Sequence, residues 1–163
     1  MLSAILHEPL VVWTLRSFLA ALFLTAALSK LTAIDEFHGV VRNFRLLPDG
    51  LARPVAMVLP VVEMAIAAGL LIGPLARPAA LVAAALLAVF GLAIAVNVLR
   101  GRTQIDCGCF RNGMKQRIGW ATVARNGVLT ALALGAGALL AQGRAASAGD
   151  IATGLAAGLT LTL

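Results

Sequence analysis

Charged side chains are scarce in this sequence. Only 12% of its 163 residues are Asp, Glu, Lys or Arg, whereas about 25% is typical of soluble domains. Thirteen basic and seven acidic side chains are too few to cover the surface of a soluble body of this size, but lipid accepts an apolar outer surface. A hydrophobic content of 61% also excludes a disordered chain. We therefore expect an integral membrane protein.

Histidine and cysteine are equally rare, with two of each. A b-type haem needs histidines inside the helices, but His7 and His38 lie outside the apolar runs. A closed structural zinc site needs four ligands, and the cysteine pair supplies only two. The sequence therefore predicts no haem and no structural metal, and we assign it no cofactor.

Four apolar runs are each long enough to cross a bilayer as a helix, since about 20 helical residues span roughly 30 Å of hydrocarbon. These runs are rich in Ala and Leu and cover residues 10–31, 52–72, 79–99 and 120–141. A fifth run, residues 151–163, is too short to cross and predicts a short interfacial or incomplete helix. The chain is thus predicted to be an all-α polytopic membrane protein. We expect a single membrane domain, residues 1–163, folded as a four-transmembrane-helix bundle with a short C-terminal hydrophobic segment.

Basic residues cluster in two of the predicted loops. Eight lie between the first and second spans or between the third and fourth: Arg42, Arg45, Arg53, Arg100, Arg102, Arg111, Lys115 and Arg117. Only Arg77 and Arg144 lie on the opposite face. The positive-inside rule then places both loops in the cytoplasm and the N-terminus outside. We expect the lipid bilayer and its anionic headgroups as partners, and no nucleic acid, because no basic stripe is interleaved with aromatic residues.

Four polar side chains interrupt the apolar runs: Arg16, Glu63, Asn97 and Arg125. An ionised group near the bilayer centre costs at least about 2.5–3.5 kcal/mol, so each should have a partner or a hydrated cavity. Residue counts from the two surfaces place Arg16 and Glu63 at similar depths and predict an ion pair between them, with Arg125 as a second candidate. Such a pair either fixes the order of the helices or forms a site for a proton or a quinone headgroup.

The two cysteines, Cys107 and Cys109, are separated only by Gly108 in the loop before the fourth span. A disulfide between residues two apart is geometrically tight, and a strained disulfide is a labile oxidant that suits thiol–disulfide exchange. A transient Cu(I) or Zn(II) site and a purely structural loop are the alternative interpretations. The chain has no second cysteine pair, so it cannot by itself relay electrons to a quinone.

Basic residues around the cysteines favour the thiolate, which is the reactive form of cysteine. Arg100, Arg102, Arg111 and Lys115 lie nearby in the sequence, while Asp106 opposes them. The candidate catalytic residues are therefore the two cysteines, supported by a basic loop.

Five motifs follow one another in a set order along the chain. They are Ser29-Lys30-Leu31; Phe37 and Val40 before Phe44-Arg45-Leu46-Leu47-Pro48; Leu59-Pro60-Val61-Val62-Glu63; Arg100-Gly101 before Asp106-Cys107-Gly108-Cys109-Phe110; and Arg125-Asn126. With this set, the segment from about Arg16 to Leu129 resembles the methylamine-utilisation MauE family, a branch of the DoxX-like four-helix membrane proteins. The chain has Arg111 where that family usually has Gly.

The resemblance implies a multi-pass accessory protein of the cytoplasmic membrane. It also implies a role in the maturation of a periplasmic, disulfide-rich dehydrogenase subunit, beside a thioredoxin-like partner. A periplasmic client requires the cysteines outside, since the cytosol is reducing, whereas the basic loops favour the inside. Two other functions fit the residues: a non-catalytic anchor or scaffold subunit of a redox complex, and a small transporter lined by Glu63, Asn97 and Arg125.

Overall fold

The structure is a computed structural model that describes residues 9–105, 117–141 and 148–162. Within these ranges the chain forms six α-helices and one short 3₁₀ helix. The α-helices are α1 (Pro9–Leu31), α2 (Ile34–Phe44), α3 (Asp49–Leu71), α4 (Ala76–Leu99), α5 (Trp120–Leu140) and α6 (Ala148–Thr160). The 3₁₀ helix, Gly73–Leu75, joins α3 to α4.

Four helical segments are long and apolar enough to cross a membrane, which confirms the predicted all-α membrane fold. They are Pro9–Leu31, Gly50–Leu71, Gly73–Leu99 and Trp120–Leu140. In the bundle α1 packs on α3, α3 on α4, α4 on α5, and α5 again on α1. Large apolar side chains such as Val61, Leu92 and Val128 remain 60%, 67% and 61% exposed on the outside. An apolar exterior of this kind suits lipid and not water.

The centre of the bundle combines a few large side chains with many small ones. Leu19, Phe23 and Leu70 are almost fully buried among alanines of α4 and α5. A Cβ atom added to Gly91 would lie 3.3 Å from Cβ of Asn126, and one added to Gly137 would lie 3.2 Å from Cδ2 of Leu81. Small residues thus let α4 and α5 approach closely, which is how membrane helices gain packing energy without a hydrophobic force between them.

The connection between the first two spans contains α2, a helix that the search for spanning runs does not predict, because its 11 residues are too few to cross. It is strongly amphipathic, with Phe37 buried against the bundle. The helix ends at Arg45, whose φ of 48° is left-handed and whose backbone N–H donates to the carbonyl of Arg42. An amphipathic helix between two spans is suited to lie along the membrane surface.

Helix α6 has 13 residues, about 20 Å at 1.5 Å per residue, which is too short to cross a bilayer. It packs on α1, where Gly154 lies against Trp13 and Gly158 against Ser17. The Ser17 hydroxyl donates a 2.7 Å hydrogen bond to the carbonyl of Gly154. Since Gly154 to Gly158 advances in the same direction as Trp13 to Ser17, α6 runs parallel to α1.

Candidate functional site

A buried ion pair joins α1 to α3. Nζ of Lys30 lies 2.8 Å from Oε1 and 3.0 Å from Oε2 of Glu63, and the two side chains are only 3% and 2% exposed. The same ammonium donates to the carbonyl of Ala26 at 3.3 Å and lies 5.4 Å from the centroid of the Phe37 ring. Both carboxylate oxygens are therefore satisfied by one cation, which offsets part of the cost of burying each charge.

The predicted Arg16–Glu63 ion pair is wrong, because the two helices pack in a different register. Glu63 lies beside the Ala26 carbonyl that also accepts from Lys30, and Ala26 is ten residues beyond Arg16. At 1.5 Å per residue this separation is about 15 Å, too far for one arginine side chain to bridge.

Lys30 is the functional candidate that the sequence analysis missed, since it lies at the end of its apolar run. In a helix the Cα–Cβ bond tilts toward the N-terminus, so a long side chain near the C-terminal end extends back along its own helix. Lys30 therefore reaches back one turn, to the level of Ala26. The direction of the side chain, and not only the position of its Cα atom, is the signal that could have identified it.

Arg16 binds the C-terminal end of α3. Its Nε donates to the carbonyl of Leu70 at 2.7 Å and its Nη2 to that of Leu71 at 3.1 Å. Its guanidinium carbon lies 3.8 Å from the centroid of the Trp13 ring. Carbonyls in the last turn of a helix lack partners within that helix and carry partial negative charge. Arg16 thus satisfies the end of α3 and is held in place by a cation–π contact.

Asn97, which is buried, and Arg102, which is half-buried, form a second polar group at the same end of the bundle as Lys30. The Asn97 side chain is fully buried, and its Oδ1 accepts from Nη1 of Arg102 at 3.1 Å. Arg102 also donates to the carbonyls of Asn43 and Phe44, at 2.8 Å and 3.4 Å. One guanidinium therefore ties the end of α4 to the end of α2.

The remaining intramembrane candidate, Arg125, is half-buried on α5. Its neighbour Asn126 is buried and donates from Nδ2 to the carbonyl of Thr122 at 3.0 Å. The four predicted intramembrane residues therefore do not form one site. Glu63 is paired with Lys30, and Asn97 is hydrogen-bonded to Arg102.

Cys107, Cys109 and Arg111 lie outside the described residues, but both flanks of their loop are described. The backbone N–H of Ile118 donates to the carbonyl of Ile105 at 3.0 Å. These two isoleucines pack in one apolar cluster whose other members are Phe44, Ile94, Val98 and Val123. The chain on either side of residues 106–117 is thus joined by a hydrogen bond and by apolar packing, while Arg100 lies exposed at the end of α4.

Metal ligands do not cluster in the part of the chain that the structure describes. Within residues 9–105, 117–141 and 148–162, no group of three or more His, Cys, Asp or Glu side chains is placed to hold a metal ion.

Comparison with known proteins gives one consistent result. The family model described as methylamine utilisation protein MauE matches residues 8–141. The chain is 73% identical over 162 residues to the methylamine utilization protein MauE of Paracoccus versutus, covering 99% of this chain and 87% of that protein. It is 62% identical to the Paracoccus denitrificans protein, with 97% and 85% covered, and 40% identical to that of Methylophilus methylotrophus, with 99% and 86% covered. No solved structure matches.

Proposed function

Because the chain belongs to the MauE family of methylamine utilisation proteins, we propose that it is a membrane accessory protein that supports maturation of methylamine dehydrogenase. It is a multi-pass membrane protein, and we place it in the cytoplasmic membrane, beside a thioredoxin-like partner. The sequence resemblance and the methylamine-utilisation name of the relatives support this function. The chemistry that we assign to it is thiol–disulfide exchange through Cys107 and Cys109.

The exchange balances without a bound cofactor. A client thiolate attacks one sulfur of the disulfide between Cys107 and Cys109, which breaks that bond, forms a mixed disulfide and releases the other sulfur as a thiolate. A second client thiolate then attacks the mixed disulfide. The client has lost two electrons and two protons and gained a disulfide, and the pair has become two thiols. A thioredoxin-like partner in its disulfide form accepts the two electrons and restores the pair.

The observation that carries the proposal is the construction of the loop's base. The hydrogen bond between Ile105 and Ile118 holds together the two ends of the segment that contains both cysteines. Arg102 lies five residues before Cys107 and is fixed by Asn97 and by the end of α2. Ile105 and Ile118 pack beside Phe44 and Val98, near the ends of α2 and α4, so we propose that a partner protein meets the cysteines at this end of the bundle. The arginines of the loop also favour the thiolate.

A scaffold without chemistry of its own is the second candidate, and the Lys30–Glu63 pair favours it. A buried ion pair is a known means of specifying one helix arrangement, and this pair joins α1 to α3 with both carboxylate oxygens satisfied. A scaffold needs that arrangement but does not need the cysteines.

Serine substitution of the cysteines separates the two functions. In a methylotroph deleted for its own copy, we expect Cys107→Ser and Cys109→Ser to abolish active methylamine dehydrogenase and leave its disulfide-rich subunit with free thiols, measured by alkylation mass shifts. One single variant should also trap a mixed disulfide that is visible on non-reducing gels. Gln104→Ser, at an exposed position of the same loop, is the matched control and should be inert. Normal maturation with both cysteines replaced would refute exchange and leave the scaffold.

Orientation gives an independent check. An oxidising disulfide persists outside the reducing cytosol. The proposal therefore requires an impermeant maleimide to label Cys107 and Cys109 in intact spheroplasts once an impermeant phosphine has reduced that disulfide. Labelling only in inverted vesicles would contradict the oxidant role, and it would agree with the distribution of basic residues.

A further inference from the structure

A polar pocket lies where α2 ends and the chain turns toward α3. Its volume is about 530 Å³, and it is lined by Arg42, Asn43, Arg45, Leu47 and Pro48. Two arginines and an asparagine thus share the lining of one pocket with a leucine and a proline. None of these residues takes part in the exchange chemistry proposed above.

The local backbone brings the two arginines together. Arg42 lies in the last turn of α2, and Arg45 is its C-cap in a left-handed conformation, with φ of 48° and ψ of 40°. After this cap the chain continues through Leu47 and Pro48, which line the same pocket as the arginines. Both guanidinium groups are exposed, and within the described part of the chain neither forms an ion pair.

The end of a helix normally repels anions, because its last carbonyls are unpaired and partly negative. Here the carbonyl of Arg42 accepts the backbone N–H of Arg45, and the carbonyls of Asn43 and Phe44 accept from Arg102. Arg102 thus adds a third positive charge at the place where a bound anion would otherwise meet free carbonyls. The acidic residues Asp35 and Glu36 lie in the first turn of α2, at its opposite end.

We propose that this pocket binds the phosphate of an anionic phospholipid headgroup. Arginine's planar guanidinium matches phosphate oxygens in a bidentate geometry. The pocket lies between the end of one membrane-spanning segment at Leu31 and the start of the next at Gly50, where headgroups are found.

The apolar part of the site favours a lipid over a free phosphate ion. Leu47 and Pro48 line the pocket itself. Leu47 and the preceding residue, Leu46, are 40% and 39% exposed. These side chains suit the glycerol and upper acyl segments of a phospholipid. An inorganic phosphate ion would leave them in water.

Binding of short-chain lipids to the purified, delipidated protein tests the site. Isothermal titration with dihexanoyl phosphatidylglycerol should show saturable binding, whereas dihexanoyl phosphatidylcholine and inorganic phosphate should bind at least about tenfold more weakly, which is about 1.4 kcal/mol. The double variant Arg42→Gln with Arg45→Gln should lose a similar factor. Arg77→Gln, which removes an exposed charge at the other end of the bundle, should bind as the unchanged protein does.

Each other outcome overturns the proposal. Equal binding of the two lipids means that the headgroup charge is not recognised, and inorganic phosphate binding as tightly as the anionic lipid makes this a site for free phosphate. Full binding by the double glutamine variant moves the site elsewhere. The variant Arg42→Lys with Arg45→Lys keeps the charge and lacks the bidentate geometry. Its affinity for dihexanoyl phosphatidylglycerol should therefore lie between those of the unchanged protein and the double glutamine variant. Circular dichroism checks that all the variants are folded.

Discussion

Replacing Lys30 by Met leaves the Glu63 carboxylate buried without a cation. Glu63 is 2% exposed, and its oxygens lie 2.8 Å and 3.0 Å from Nζ of Lys30. Removing one partner of a buried pair costs about 3–5 kcal/mol, because the other charge remains uncompensated. Replacing both residues by Met removes both charges together, so we expect the double variant to regain most of that loss. The assay is the free energy of unfolding in mixed micelles, followed by circular dichroism as the fraction of SDS rises.

The double-mutant cycle decides whether the pair carries this energy. We expect the two single losses to sum to more than the double loss, by at least about 2 kcal/mol, the size of coupling found for residues in direct contact. Arg77→Met, an exposed position, is the control and should change stability by less than about 0.5 kcal/mol. Additive losses, or a Lys30→Met protein as stable as the unchanged one, would refute the assignment of Lys30 as the partner of Glu63.

Three further predictions concern packing and the base of the cysteine loop. Arg102→Gln removes the donors to Asn97 and to the end of α2, so we expect a lower midpoint of thermal unfolding, whereas Arg100→Gln, at an exposed position, should leave that midpoint unchanged. Gly69→Ala places a methyl group 2.9 Å from Cβ of Ala79, which cannot rotate away, and should lower the midpoint of thermal unfolding, whereas Gly135→Ala, which meets nothing within 4 Å, should not. Gly158→Ala places a methyl group on the backbone of α1 and should detach α6, measured as faster proteolysis of that helix; equal proteolysis of both proteins would contradict the contact.

Length and hydropathy are sufficient to predict the four spans, because a bilayer sets both the number of residues and their polarity. They do not predict α2, whose 11 residues form a surface helix through amphipathic periodicity. They also leave α6 undefined beyond a short apolar segment, because its position depends on two glycines that meet α1. Close contact between two helices depends on the residues of both segments, so the sequence of one segment alone does not predict it.

The site is only partly predictable for a related physical reason. The cost of burying polar groups marks Arg16, Glu63 and Asn97 as residues that need partners, and each has a hydrogen-bond partner in the structure. Which cation pairs with Glu63 depends on the register of α1 against α3 and on the direction of the side chain. Counting residues from the membrane surfaces uses neither property, so it predicts Arg16 as the partner, whereas the structure has Lys30 there. Arg102 follows from neither rule, because its three acceptors come from two helices that are distant in sequence.

The hydrogen bond from Ser17 to Gly154 joins residues 137 positions apart. A ribosome must therefore synthesise most of the protein before the N-terminal helix meets this neighbour. Until then the surface of α1 around Trp13 and the Ser17 hydroxyl is exposed to lipid or to the insertion machinery. Biogenesis accordingly ends with a long-range docking step, and a chain truncated before that step would be expected to insert its four spans yet expose this surface to quality-control proteases.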